Sequence, residues 1–126
     1  MKKRTDDSAY GYGRKQWEKA KEEARLAIVK QARIESDMTY GELTRAIRNI
    51  SFEPHDHVFH LMLGQISEEE DAAGRGMLTA LVVCQDDRRP GPGFWRLAAR
   101  LGRNTKDREK FWTEEFQQVV RGWKRN

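Results

Sequence analysis

The stretch GRGMLTALVVCQDDRRPGPGFW, residues 74–95, holds the one long uncharged apolar run of the chain. Met77 to Cys84 carries no charge over eight residues and ends in the β-branched pair Val82-Val83. Gly74-Arg75-Gly76 before it and Pro90-Gly91-Pro92-Gly93 after it force turns. An uncharged run of this length between turns predicts a buried β-strand. A lone strand leaves its backbone groups unpaired, so a partner is required. Ile50-Ser51-Phe52 and the region Arg88 to Trp95 are the two candidates.

Working outward from that strand, helical periodicity takes over. Trp17, Ala20, Ala24, Ile28 and Ala32 make one apolar stripe, which predicts a helix from Arg14 to about Ser36. Thr39 with Glu42 has the form of a capping box, opening a short helix to about Asn49 with Leu43, Ala46, Ile47 and Ile50 inward. Pro54 suits the first turn of a third helix that buries Val58, Phe59, Met62 and Leu63 and stops at Gly64. Ser67 to Glu70 reads as a second capping box, opening a short acidic helix to about Ala73. After the strand, Phe94, Leu97, Ala98 and Leu101 have helical spacing, with Gly102 as the C-cap. Asn104 or Thr105 then caps a last helix to about Lys124, whose stripe is Trp112, Phe116, Val119, Val120 and Trp123. Residues 1–12 are expected to be a flexible basic arm, and 13–126 a single globular domain.

The 126 residues carry a net charge of +4, spread unevenly: +4 over residues 1–36, −5 over 37–84 and +5 over 85–126. Basic ends around an acidic middle suit an anionic partner, or simply solvated helices. No apolar run approaches the ~20 residues of a membrane span, and no apolar segment follows the basic MKKRTDD start, so neither membrane nor secretion is expected. The single cysteine, Cys84, excludes an internal disulfide and fits a cytoplasmic setting.

Catalytic groups are sparse. His55, His57 and His60 with Asp56 form a tempting metal or acid–base cluster, yet helical geometry puts only His57 and His60 on one face. Cys84 has no neighbouring base to lower its pKa, and Ser67 lacks a nucleophile elbow. Asp107 to Lys110 contains a nuclease-like acid-x-Lys fragment inside a helical pattern. No catalytic residue, metal or cofactor is therefore expected. Arginines are better represented: Arg88 and Arg89 on the loop, Arg75 between glycines, and Arg96, Arg100 and Arg103 on one helix, with Arg45 and Arg48 on the second helix. Arginines on a loop beside a strand resemble the wing of a winged-helix protein.

Thr39-Tyr40-Gly41-Glu42-Leu43 resembles the helix start of alkyltransferase-like DNA-binding domains, which are winged-helix folds, and Thr79 to Cys84 resembles the strand of that family that runs into paired valines. In that family the tyrosine works at a backbone phosphate while a base is flipped, so the resemblance implies that role for Tyr40. The family's Pro-Cys-His-Arg run is missing, and Cys84 follows the valines instead of preceding them. The resemblance thus implies DNA binding without alkyl transfer. The expected fold is α+β, a mostly helical single domain with a short β element and a winged-helix-like arrangement in residues 37–95. The expected function is a small non-enzymatic nucleic-acid-binding domain in which Arg45, Arg48, Arg75, Arg88, Arg89, Arg96 and Arg100 hold phosphates and Tyr40 stacks or hydrogen-bonds. The alternative is a protein-binding module, an immunity or regulatory partner of a bacterial or phage system, using the acidic segment Glu68 to Asp71 or the Gly/Pro loop. An enzyme using histidine or Cys84 ranks third.

Overall fold

The structure, a computed structural model, describes residues 8–124. Strand β1 (Ser8–Ala9) pairs antiparallel with β2 (Tyr12–Gly13). The turn between them uses left-handed backbone at Tyr10 (φ 55°) and Gly11 (φ 91°). The Tyr10 and Tyr12 rings lie 4.9 and 6.3 Å from that of Trp17. Residues 8–12, expected as part of a flexible arm, are thus a hairpin pinned by aromatic packing. Lys2, Lys3 and Arg4 lie outside the described residues.

Helix α1 (Arg14–Arg33) buries the expected stripe from Trp17 to Ala32. Strand β3 (Met38–Thr39) leads into α2 (Tyr40–Ala46), and the capping box is present with both of its hydrogen bonds. The helix stops short of Asn49. Ile47 is already extended, and the Arg48 and Asn49 N–H groups both donate to a Glu23 carboxylate oxygen on α1, each at 3.0 Å. Ala46, expected inward, is exposed, while Leu43, Ile47 and Ile50 are buried.

Helix α3 (His57–Ala72) corrects the two short helices expected here. It starts after Pro54 and runs straight through Gly64 and Ser67. The Ser67-x-x-Glu70 pattern caps nothing, because both side chains have tertiary partners. Ser67 Oγ is fully buried and accepts the Thr79 N–H at 3.0 Å. Glu70 is 2% exposed and binds Arg25 (2.7 Å) and Arg75 (2.6 Å).

The apolar run is buried from Met77 to Val83, as expected, but little of it is strand. Leu78–Leu81 form one 3-10 turn, and only Val82–Val83 are extended, as β4. β4 pairs in parallel with β3, Met38 opposite Val82 and Thr39 opposite Val83, so neither expected partner is used. Side chains replace the missing ladder. Met77 N–H donates to Glu115 Oε2 (2.7 Å), Thr79 N–H to Ser67, and the Ala80 carbonyl accepts Trp112 Nε1–H (2.8 Å). These three backbone groups are thereby paired without a sheet. Residues 85–91 turn back without forming a second strand.

Helix α4 (Pro92–Arg100) and helix α5 (Arg108–Lys124) complete the chain. Asp107, not Asn104 or Thr105, caps α5: its Oδ1 accepts the Lys110 N–H at 3.1 Å. Val119 and Val120 are buried, with Trp112, Phe116 and Trp123 half-buried beside them. The fold is α+β, with five α-helices and two small strand pairs among the described residues. Among the described residues, no helix is long and apolar enough to cross a membrane.

Two consequences for stability follow. Gly76 has φ +87°, and a Cβ there would meet Glu115 Oε2 at 3.2 Å and a Val119 methyl at 3.3 Å; Gly74 (φ +83°) faces open space. Gly74→Ala therefore costs only backbone strain, about 1 kcal/mol, whereas Gly76→Ala adds overpacking and costs about 2–4 kcal/mol by urea denaturation. Equal costs would show that the Glu115–Met77 clasp is dispensable.

Glu23 is held below the usual carboxylate range, first by the Asn49 N–H and then by Arg48. The Thr39 N–H does the same for Glu42. Burial pushes Glu69 up, but Lys21 and Arg25 outweigh it and hold it low. A depressed folded pKa means that the unfolded chain binds more protons. This stability is present above the unfolded value of about 4.3 and is lost as pH falls through the lower folded values. The urea midpoint should fall between about pH 5 and pH 3, and Glu23→Gln should flatten that fall.

Candidate functional site

The 84–91 loop is closed on itself. Cys84 N–H donates to the Arg89 carbonyl (2.8 Å) and Arg88 N–H to the Cys84 carbonyl (3.0 Å), with Arg88 in the left-handed region at φ 55°. Its far end is moored to α2, because Gly91 N–H donates to the Tyr40 hydroxyl oxygen at 2.8 Å. Pro92 then opens α4 at the position where a missing N–H costs nothing. Together the loop, α4 and the start of α5 wall a groove of about 660 Å³, lined among others by Cys84, Arg89, Trp95, Arg96 and Arg108.

Trp95 lines this groove and is half-buried. Its indole Nε1–H donates to the Pro90 carbonyl at 3.3 Å. Phe94 packs edge-on at 5.1 Å and Phe111 at 6.1 Å. The Arg108 guanidinium lies over the indole, 4.8 Å from its centroid. Such a cation–π contact contributes about 0.5–1 kcal/mol at an exposed site, so it is readily exchanged. Among the described residues, neither Arg96 nor Arg108 has a carboxylate within 4.0 Å, and Arg96 is exposed. Arg89, by contrast, binds both oxygens of Glu109 and lies 4.6 Å over Trp112. The first turn of α4 carries no acidic residue and no side-chain cap, so its positive end is unbalanced.

Of the residues singled out from sequence, Arg89 and Arg96 meet in the groove, and Arg100 follows one turn later, paired to Glu68 at 2.7 Å. Arg88 leaves the same loop but binds Asp37. Arg75 is elsewhere, held by Glu70 and stacked on Trp123 at 5.1 Å. That is near the far end of α5, about 20 Å from Arg108 at the helical rise per residue. Arg45 is exposed in the last turn of α2, and Arg48, exposed just beyond it, donates its N–H to Glu23 of α1. Trp95 and Arg108 were not singled out. The Asp107 cap was the local signal that would have put Arg108 at the first position of α5.

The nucleophile and metal candidates do not assemble. Burial first, then Asp87 and Asp86, push the Cys84 thiol up, which disfavours the thiolate. His60 Nε2 is 2.8 Å from the Pro54 carbonyl and its ring packs on Tyr40 and Phe59, while His55 and His57 are exposed. Among the described residues, no three His, Cys, Asp or Glu side chains gather as a metal-ligand set. Every carboxylate from Glu68 to Asp71, the segment offered for a protein partner, is bound by a cation of the same chain.

Tyr40 acts on the groove through the loop. Burial pushes its phenol up to about 12, so it stays protonated and its oxygen serves as the acceptor for Gly91. Tyr40→Phe leaves the buried Gly91 N–H unpaired and should cost about 1–3 kcal/mol. Hydrogen exchange should speed up across residues 84–91 first. Unchanged exchange there would show that the loop does not depend on this bond.

No family model, no curated protein and no solved structure matches the chain.

Proposed function

We propose that the chain is a small non-enzymatic nucleic-acid-binding module that holds a phosphate backbone along the groove between the 84–91 loop, α4 and the start of α5. The observation that carries this reading is the pairing of two uncommitted arginines, Arg96 and Arg108, with a half-buried tryptophan in one groove. Arginine is suited to phosphate because its fork donates two parallel hydrogen bonds. The unbalanced positive end of α4 adds to the attraction. The resemblance of Thr39 to Leu43 and of Val82-Val83 to alkyltransferase-like domains lends support as well. In this chain Tyr40 shapes the loop that borders the phosphates.

A second reading, a protein-binding module, is favoured by one observation: Leu26 on α1 and Ile34 just after its end are 55% and 68% exposed.

The test is fluorescence anisotropy with labelled duplex DNA, single-stranded DNA and RNA at low salt, repeated as salt is raised. Binding should weaken steeply with salt, and Arg96→Ala with Arg108→Ala should weaken it about tenfold or more and lower the salt slope by about 1–2. Lys30→Ala, which changes net charge on an exposed position of α1, should alter it less than about twofold. Absence of binding to all three nucleic acids at low salt overturns the proposal. A stoichiometric protein partner lost on mutating Leu26 and Ile34 would then put the second reading in its place.

A further inference from the structure

Resting on that reading, we propose that the groove takes single-stranded nucleic acid and stacks one unpaired base on Trp95, on the face that the Arg108 guanidinium now covers. The indole is built as a platform. Its Nε1–H is tied to the Pro90 carbonyl, and Phe94 and Phe111 brace it, so ring orientation is set before anything binds. The guanidinium over it is a planar group without a carboxylate partner among the described residues. It can leave the indole for a phosphate while a base takes its place. Arg108 thereby keeps a partner in both states, and the platform is not left bare in either.

Duplex nucleic acid does not fit this exchange. Its bases are already stacked on one another, so a flat aromatic surface gains nothing without unstacking them. Single strands offer π-faces directly, and every base has one, which predicts weak sequence preference. The groove, at about 660 Å³, lies in the size range of sites for small ligands, roughly 300–1,000 Å³. One braced platform and two uncommitted arginines imply a short footprint of a few nucleotides.

The experiment compares the full chain and its Trp95→Leu, Trp95→Phe and Arg96→Ala variants. The probes are oligothymidylate and oligouridylate of about 15 nucleotides and a hairpin duplex of similar charge. Single strands should bind at least about fivefold tighter than the hairpin. Trp95→Leu should weaken single-strand binding about tenfold, Trp95→Phe should recover most of it by keeping a flat ring, and hairpin binding should change less than about twofold in either. Tryptophan fluorescence of the unsubstituted chain should quench on binding, with a smaller change in Trp95→Phe. If single strand and hairpin bind equally and only Arg96→Ala weakens them, stacking is overturned while nucleic-acid binding stands. If nothing binds at low salt, both fall. Because Trp95→Phe retains the aromatic packing on Phe94 and Phe111, unfolding of Trp95→Leu does not blur the outcome.

Discussion

The arrangement depends on a row of carboxylates along the last two turns of α3. Glu69 binds Lys21 and Arg25, Glu70 binds Arg25 and Arg75, Glu68 binds Arg100, and Asp71 binds Arg103. The end of one helix, its carboxylates fanned around the axis, thus fastens α1, the turn before the apolar run, α4 and the segment after it. The exposed members of the row contribute little individually. Glu70 differs because it is buried: with both of its arginines removed its charge would be stranded away from water, which costs about 3–5 kcal/mol. The row also decides what is left over for binding. It consumes basic residues that composition alone would assign to a ligand, and leaves Arg96 and Arg108 uncommitted. Clustering of arginine in a sequence is therefore a poor guide to a basic surface when an acidic helix lies alongside.

What could be read from residues was what is decided locally. The Thr39–Glu42 capping box, the stripe of α1, the burial of 77–83 and the helical spacing after Phe94 all rest on neighbours a few residues apart, and all are present. The failures share one physical cause. Gly64 and Ser67-x-x-Glu70 carry the chemistry of helix ends, but partners distant in sequence, Thr79, Arg25 and Arg75, claim the side chains and α3 continues. The apolar run lacks a ladder because Ser67, Trp112 and Glu115 satisfy its backbone, which no periodicity reveals. Within the candidate groove, Arg89 and Arg96 were visible as loop and helix arginines. The Arg108–Trp95 stack was not, since a cation–π contact between two helices leaves no spacing rule.

Tyr40 links the two halves of the site. It opens α2 directly after β3, and its hydroxyl reaches across to Gly91 at the mouth of α4. A Cβ at Gly91 would come within 3.3 Å of that hydroxyl oxygen. The close approach, more than any turn requirement, accounts for glycine at a position whose φ is an ordinary −80°. The parallel β3–β4 pair brings the two chain segments together, and the phenol fixes the distance between them. The groove's loop is thus referenced to the core and not to solvent.

The burial of Leu78 to Val83 between helices from both ends of the chain bears on how the protein is made. Its clasps come from Ser67 before it and from Trp112 and Glu115 after it, both beyond residue 110. During synthesis, this uncharged segment precedes α5 and stays uncovered until α5 has emerged and folded over it. For that interval it is the most aggregation-prone part of the nascent chain. The charged residues that follow it, Asp86 to Arg89, stand where flanking charges protect such a segment. A cluster that sets the groove's wall in the finished fold thus also shields the core strand until the last helix arrives.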